Sequence, residues 1–354
     1  DGSALYEYPN NDVGISEWGS NNFMHSRGEV RSFLQSCANY WLRTFHFDGL
    51  RMDAISRIIY WHGDEKRGVN GNAVDFIKYM NQGLKDRNPG CFLAAEDSTN
   101  FANVTKSVSE GGLGFDYKWD MGWMHDTLSY FQMSPDDRYN NYHKLTFSMM
   151  YYYNEKFLLP LSHDEVVHGK ATILQKMYGD YDIKFPQARA FYMYMMVHPG
   201  KKLNFMGNEL GQFREWDEKR EQDFMLLDFP IHRAFNNYIA DLNKNYLSHP
   251  AFYGKEYDYD GFKWLDCNSP DRLMYSILRE DNKSRIFAIF NFSKYEQIDY
   301  RIELPDNKGV NILMNSDWKC YGGNADENNV FWHIDGNTLT CTMPRFSAAL
   351  FELK

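Results

Sequence analysis

The chain has 354 residues, of which 43% are hydrophobic, and a formal net charge of −10 at pH 7. This length is sufficient for two domains with a large core, and the acidic balance argues against partners such as nucleic acid or an anionic membrane, which require a basic surface. No apolar run approaches the roughly 18 residues of a membrane span, and no signal peptide opens the sequence.

Cysteine usage indicates a reducing compartment. The five cysteines include no Cys-x-x-Cys pair, and Cys37 and Cys91 lie within apolar patterns. We therefore expect free, buried thiols and a cytoplasmic protein. Aromatic residues make up 17% of the chain. Rings beside an acidic surface suit carbohydrate, because the apolar face of a pyranose stacks on a ring while its hydroxyls bond to carboxylates and amides.

The chain begins with a predicted loop, residues 1–25, which is rich in Gly, Asn, Ser, Tyr and Asp. Ser26-Arg27-Gly28-Glu29 predicts a capping box. Apolar residues then recur at helical spacing from Val30 to Phe45, which predicts a helix with one stripe against a sheet. The helix leads into Phe47–Asp53, an apolar run that reads as a buried strand ending on a carboxylate.

Further strands and helices alternate up to residue 248. The patterns predict helices over 74–84, 121–131, 187–198 and 235–246, and strands over 91–96, 111–119, 157–162 and 202–206. This alternation is typical of a parallel α/β sheet that is buried on both faces. Because the strand signals number five where an eight-stranded barrel needs eight, we predict that residues 1–248 are a (β/α)8 TIM-type barrel lacking its N-terminal strands.

After His249-Pro250 the pattern changes to short β-type runs separated by Asn, Asp, Gly and Pro. The runs are 262–266, 272–279, 285–292, 297–304, 310–314, 338–343 and 348–353. They predict that residues 249–354 form a C-terminal antiparallel β-sandwich domain.

Three of the predicted strands end on a carboxylate, namely Asp53, Glu96 and Asp164. Each one alone is most simply an N-cap or a solvated loop acid. Together they favour a site, because the C-terminal ends of parallel barrel strands meet in one pocket. Arg51 precedes Asp53 by two residues and shares its face of the strand. A cation there keeps a carboxylate ionised, as a nucleophile requires.

Sequence motifs around these acids resemble those of a known family. Asp48–Ala54, Ala95–Ser98 and Leu161–Lys170 resemble the second, third and fourth signature regions of the α-amylase superfamily. The last of them has the form seen in bacterial 1,4-α-glucan (glycogen) branching enzymes. The resemblance runs from about residue 15 to the C-terminus and includes the segments 111–115, 122–128, 199–203 and 205–209.

The resemblance implies a role for each candidate residue. Asp53 would be the nucleophile and Glu96 the general acid/base of a retaining double displacement on an α-1,4-glucan. Asp164 would stabilise the distorted sugar, Arg51 would orient Asp53, and His163 would bind sugar hydroxyls. Transfer of the chain to a 6-hydroxyl would create an α-1,6 branch. No cofactor and no metal ion is implied.

Two alternatives remain open from the sequence. Transfer to water would make the protein an α-glucan hydrolase of the same superfamily, and a silent glucan-binding fragment is the other reading. The superfamily's first signature region and the first barrel strands would precede residue 1. We therefore expect residues 1–354 alone to have little activity and an exposed sheet edge.

A metal site at His163 and His168 is disfavoured. The segment superficially resembles a zinc-protease motif, but its histidines are five residues apart rather than four, so they would not share a helix face. The sequence gives no indication of the oligomeric state.

Overall fold

A computed structural model of the chain describes residues 2–354, so Asp1, which belongs to the predicted N-terminal loop, lies outside the described residues. The chain divides into two compact units, Asp1–Met121 with Asn154–Leu158, and Gly122–Tyr153 with Leu159–Lys354. Within residues 2–354, no helix is both long and apolar enough to cross a membrane.

The first unit contains parallel strands that pair in chain order. They are β1 (Gly49–Met52), β2 (Phe92–Ala95), β3 (Tyr117–Trp119) and the first residues of β4 (Phe157–Leu161). Two 17-residue helices accompany them, α1 (Gly28–Thr44) and α2 (Gly71–Arg87), together with the single turns Asn11–Gly14 and Ser56–Ile59. A core that includes Ile55, Phe76, Leu84, Leu93 and Phe115 joins these elements.

Helix α1 departs from its prediction in two ways. Its N-cap is Arg27, without a side-chain hydrogen bond, so the predicted capping box at Ser26 is wrong. Its apolar stripe is also largely exposed, because only Val30 and Leu42 are buried whereas Phe33 is 61% exposed. All five cysteines are free, as predicted, but Cys37 on this helix is exposed rather than buried.

The second unit continues the parallel strands. Strand β5 (Lys201–Asn204) follows β4 in the sheet order, and the amide of Phe205 donates to the carbonyl of Leu161 at 2.9 Å. The helices are α3 (Met121–Gln132), α4 (Tyr181–Val197) and α5 (Pro230–Ser248), with the single turn Ile173–Lys176. Helix α4 begins six residues before its predicted start, because its first turn mixes polar and apolar residues and carries no helical apolar period.

The remaining strands of the second unit are antiparallel and form two sheets. Their orders are β10-β13-β8-β7-β6 and β11-β12-β9, and their side chains share one core that includes Phe287, Ile302, Leu339 and Phe351. The strands are β6 (Phe262–Ser269), β7 (Met274–Glu280), β8 (Arg285–Asn291), β9 (Gln297–Glu303), β10 (Val310–Asn315), β11 (Trp332–Asp335), β12 (Thr338–Met343) and β13 (Ser347–Leu353).

The predicted fold class is confirmed, since parallel β/α strands precede an antiparallel all-β region. Strand β11 was missed because it has only four residues, two of them polar. The predicted domain boundary between residues 248 and 249 stays a prediction, because the two compact units divide the chain at other positions.

Candidate active site

The end of β1 brings Arg51 and Asp53 together in the first unit. Side chains two residues apart on a strand share a face, and Nη2 of Arg51 lies 2.7 Å from Oδ1 of Asp53. The chain turns sharply after Asp53, because Ala54 has a left-handed backbone with φ of 42°. A non-glycine residue in that region costs about 1–3 kcal/mol and persists only where its surroundings hold it.

Glu96 follows β2 and joins the same cluster. Its carboxylate forms an ion pair with Nη2 of Arg51 and accepts a hydrogen bond from the amide of Ala54 at 3.3 Å. The backbone of Glu96 is tied to the first strand as well, since its amide donates to Met52 and its carbonyl accepts from Ile55, each at 3.0 Å. Arg51, Asp53 and Glu96, which the sequence predicted to converge, are therefore in contact through one guanidinium group.

Trp119, at the end of β3, completes the surroundings of Arg51. The guanidinium carbon lies 4.2 Å from the centroid of the indole ring, which is 5% exposed. A cation over a desolvated indole is stabilised by roughly 1–2 kcal/mol. Sequence reasoning did not assign Trp119 a role, although its place at the end of a third parallel strand is the signal that could have found it.

A buried ion pair fixes the loop that follows Glu96. Nζ of Lys118 lies 2.9 Å from Oδ2 of Asp97, and both side chains are almost fully buried. The same ammonium group donates to the carbonyl of Thr99 at 2.8 Å, and Oδ1 of Asp97 accepts from the Thr99 amide at 3.0 Å. Buried charges persist only when paired in this way. This support was not predicted from the sequence.

The two carboxylates of the first unit have different environments. The Glu96 side chain is 21% exposed whereas that of Asp53 is 75% exposed. Burial raises the pKa of Glu96, and a hydrogen bond with Asp53 raises it further, while Arg51 opposes the rise. A carboxyl group with a raised pKa beside a solvated carboxylate is the arrangement in which one acid donates a proton while the other stays ionised.

His163 and Asp164 lie together in the second unit, just after β4. Oγ of Ser162 caps a short 3₁₀ turn, His163–Val166, by accepting a hydrogen bond from the amide of Asp164 at 3.2 Å. Nε2 of His163 lies 3.4 Å from Oδ1 of Asp164, and the two side chains are 40% and 43% exposed. Whether this pair meets the Asp53 cluster around one sugar stays a prediction.

A groove of about 400 Å³ borders His163 in the second unit and is lined by Trp216 and Arg214 among others. The His163 ring lies 6.3 Å from the Trp216 ring in an edge-to-face arrangement. Glu215 accepts hydrogen bonds from the amides of Gly169 and Ala171 at 2.9 and 2.7 Å, and these bonds lower the pKa of Glu215. The sequence analysis did not identify Glu215 and Trp216. The signal that could have found them is an aromatic residue between charged residues in the segment after β5.

The described residues 2–354 contain no group of three or more His, Cys, Asp or Glu side chains placed to hold a metal ion. The candidate site itself contains the carboxylates of Asp53 and Glu96, the guanidinium group of Arg51 and, in the second unit, the imidazole of His163.

Comparison with known proteins shows which enzymes the chain resembles. The family profile described as "Alpha amylase, C-terminal all-beta domain" matches residues 264–354. Solved structures with the same fold include an α-amylase from H. orenii (TM-score 0.64) and a debranching enzyme from Nostoc punctiforme (TM-score 0.67). Each is 15% identical, and the match covers 95% and 96% of this chain and 67% and 65% of theirs.

The chain is therefore similar to members of the α-amylase superfamily. It is 41% identical over 331 residues to the 1,4-alpha-glucan branching enzymes GlgB of Bacillus cereus strain G9842 and Bacillus thuringiensis subsp. konkukian strain 97-27. The resemblance found in the sequence motifs is thereby confirmed. The match covers 93% of this chain and 51% of each relative, so the chain spans about half the length of these curated relatives.

Proposed function

We propose that the polypeptide carrying this chain is a 1,4-α-glucan branching enzyme. It would cleave an α-1,4-glucan and transfer the released chain to a 6-hydroxyl, which forms an α-1,6 branch. One observation carries the proposal. Asp53 and Glu96 both pair with the guanidinium group of Arg51, but Glu96 is more buried than Asp53 and has a raised pKa. The names of the relatives that are 41% identical support the choice of transferase over hydrolase.

The proposed reaction is a double displacement with retention. Ionised Asp53 attacks the anomeric carbon while protonated Glu96 gives its proton to the leaving glycosidic oxygen. The raised pKa of Glu96 supports the role of acid. In the second half, the oxygen of the incoming hydroxyl attacks the anomeric carbon, deprotonated Glu96 accepts the proton of that hydroxyl, and the bond between the sugar and Asp53 breaks. Asp164 is proposed to stabilise the distorted sugar ring, and His163 is proposed to bind the sugar hydroxyls.

The choice of acceptor distinguishes branching from hydrolysis. A glucan hydroxyl succeeds only if it occupies the site more effectively than water does. The groove beside His163 supports glucan binding, because Trp216 offers an aromatic ring next to the hydrogen-bonding groups of His163 and Arg214. We further propose a cytoplasmic location and a division into a barrel portion, 1–248, and an all-β domain, 249–354.

Incubation of the native polypeptide with amylose tests this function. Branching predicts a fall in iodine absorbance without new reducing ends, and debranching of the product should release short linear chains. New reducing ends in proportion to the fall in iodine absorbance would instead identify a hydrolase. Retardation in a glucan-containing gel without either change would identify a binding protein.

A further inference from the structure

A groove of about 500 Å³ lies between α1 and α2 in the first unit, and none of the residues that line it belongs to the Asp53 cluster. The two helices run in parallel here, because Arg31 contacts Tyr79 and, one turn later in both, Gln35 contacts Gly83. Four residues of a helix span about 6 Å. The lining of the groove includes no Asp or Glu, although the chain carries a net charge of −10.

Two arginines of the groove have no carboxylate partner. The Arg31 guanidinium group stacks on Tyr79 at 5.0 Å from the ring centroid, and Nη1 of Arg87 donates to the carbonyl of Gly83 at 2.9 Å. Neither arginine forms an ion pair with any of residues 2–354. Stacking and the backbone bond hold the two planar cations in place while most of their donor groups remain available.

Between these arginines lies a buried donor that has no acceptor. Nε2 of Gln35 is enclosed but makes no hydrogen bond, and such a group in a native protein calls for a specific explanation. A Cβ atom at position 83 would overlap both this nitrogen and Nη1 of Arg87, so glycine alone lets the two donors lie side by side. The uncapped N-terminus of α1 begins at Gly28 in the same groove and adds partial positive charge.

We propose that this groove binds a phosphate group, either as free phosphate or as a phosphate monoester of a small molecule. A phosphate dianion presents several acceptor oxygens, which suits two guanidinium groups about one turn apart with an amide donor between them. A neutral glucan would leave both positive charges without a counterpart. The inference concerns a different part of the chain from the proposed active site and does not depend on the branching reaction.

Calorimetric titration of the native polypeptide at fixed ionic strength tests the site, with inorganic phosphate, glucose 6-phosphate and glucose as separate probes. We expect both phosphates or glucose 6-phosphate alone to bind, and glucose to produce no signal that depends on Arg31. Arg31→Ala should weaken phosphate binding at least about tenfold, since it removes charge-assisted hydrogen bonds. Gly83→Ala should also weaken it, because the added methyl group displaces Gln35 and Arg87.

Lys78→Ala is the matched control, because it removes one positive charge from α2 outside the lining of the groove. Unchanged melting temperatures of the free variants establish that they fold. The proposal is overturned if neither phosphate binds, or if Arg31→Ala and Lys78→Ala weaken binding equally, since the second result would mean only a general charge effect. Binding of glucose 6-phosphate but not inorganic phosphate supports the site and assigns it to a phosphorylated sugar.

Discussion

Helices α1 and α4 have the same length, 17 residues, but they differ in how much of their surface is buried. Helix α4 buries twelve side chains, including Phe191 and Tyr194, on all sides. Helix α1 buries two, and the aromatic residues of the helix and its C-cap remain exposed: Phe33 by 61%, Tyr40 by 52%, Trp41 by 40% and the C-cap Phe45 by 49%.

The difference shows that an apolar period predicts a helix without predicting what covers it. Near the end of α1 the aromatic rings cover one another instead, with Trp41 stacked on Phe45 at 4.9 Å and on Phe47 at 5.7 Å between centroids. A contiguous exposed patch of this kind marks an interaction surface or an aggregation site. Helix α4 instead packs against α5, β8 and β13, which cover it.

The largest expected effect is a loss of activity without a loss of stability, from a substitution in the first unit. Asp53→Asn should reduce chain transfer by the native polypeptide on the order of 10⁴-fold, because the amide is a poor nucleophile. Its melting temperature should hardly change, since the Asp53 side chain is 75% exposed. Asp48→Asn, which removes another exposed acid close to the start of β1, is the control and should retain activity. Undiminished transfer by Asp53→Asn would exclude Asp53 as nucleophile.

A pair of phenylalanine substitutions tests the difference between the helices directly. Phe191→Ala on α4 removes a fully buried ring that contacts Phe131 at 5.3 Å, so the free energy of unfolding should fall by about 3–5 kcal/mol. Phe33→Ala on α1 should change it by about 0.5 kcal/mol or less. Urea denaturation measures both values. Equal losses for the two variants would show that α1 is covered in solution.

Glu96 should make the stability of the first unit depend on pH. Because its pKa is raised in the folded state, the folded protein binds the proton more tightly, and stability falls as pH rises from the ordinary glutamate value towards the raised one. Glu96→Gln should therefore be more stable than the wild type at pH 7, and the two should converge in acid.

Glu110→Gln provides the control of opposite sign for this pH effect. The pKa of Glu110 is lowered by a hydrogen bond from Ser107, so its substitution should give no gain at pH 7. Thermal melts from pH 4 to pH 8 measure the three proteins. A Glu96→Gln protein that is less stable than the wild type at pH 7 would mean that the ion pair with Arg51 outweighs burial.

The smallest expected effect concerns the exposed rings of α1 and the segment after it. Replacing Phe45 and Phe47 with Ser should reduce dye binding and self-association in light scattering, with little change in the free energy of unfolding, because both rings are about half exposed. Val330→Ser, which replaces an exposed apolar residue of the second unit, should leave self-association unchanged. Equal effects of the two changes would argue against a specific patch.

Much of the fold could be predicted from sequence because its signals are local. The strand runs that end on Asp53 and Glu96, and six of the seven β runs with bounds correct to within two residues, follow from apolar periods and turn residues. The contact between Arg51 and Asp53 also follows from strand pleat. Burial of α1 could not be predicted, because it depends on what packs against the helix.

The contacts that support the site were beyond the reach of sequence patterns. Trp119, the Lys118–Asp97 pair and Glu215 act on residues that are distant in the chain. The sequence offered only two weak signals for them, namely the place of Trp119 at the end of a strand and the aromatic residue beside Glu215. Side chains that hold others in place are thus harder to predict than those that end the strands themselves.

The single nitrogen of Arg51 that serves both carboxylates has a consequence over the reaction cycle. In the proposed mechanism, Asp53 loses its negative charge when it becomes an ester with the sugar, and of the two carboxylates only that of Glu96 then remains charged beside Nη2. The affinity of Glu96 for a proton should drop at that moment, since a negative neighbour has gone and a positive one is no longer shared. One fixed cation would thus switch Glu96 from proton donor to proton acceptor between the two half-reactions, without any movement of the backbone.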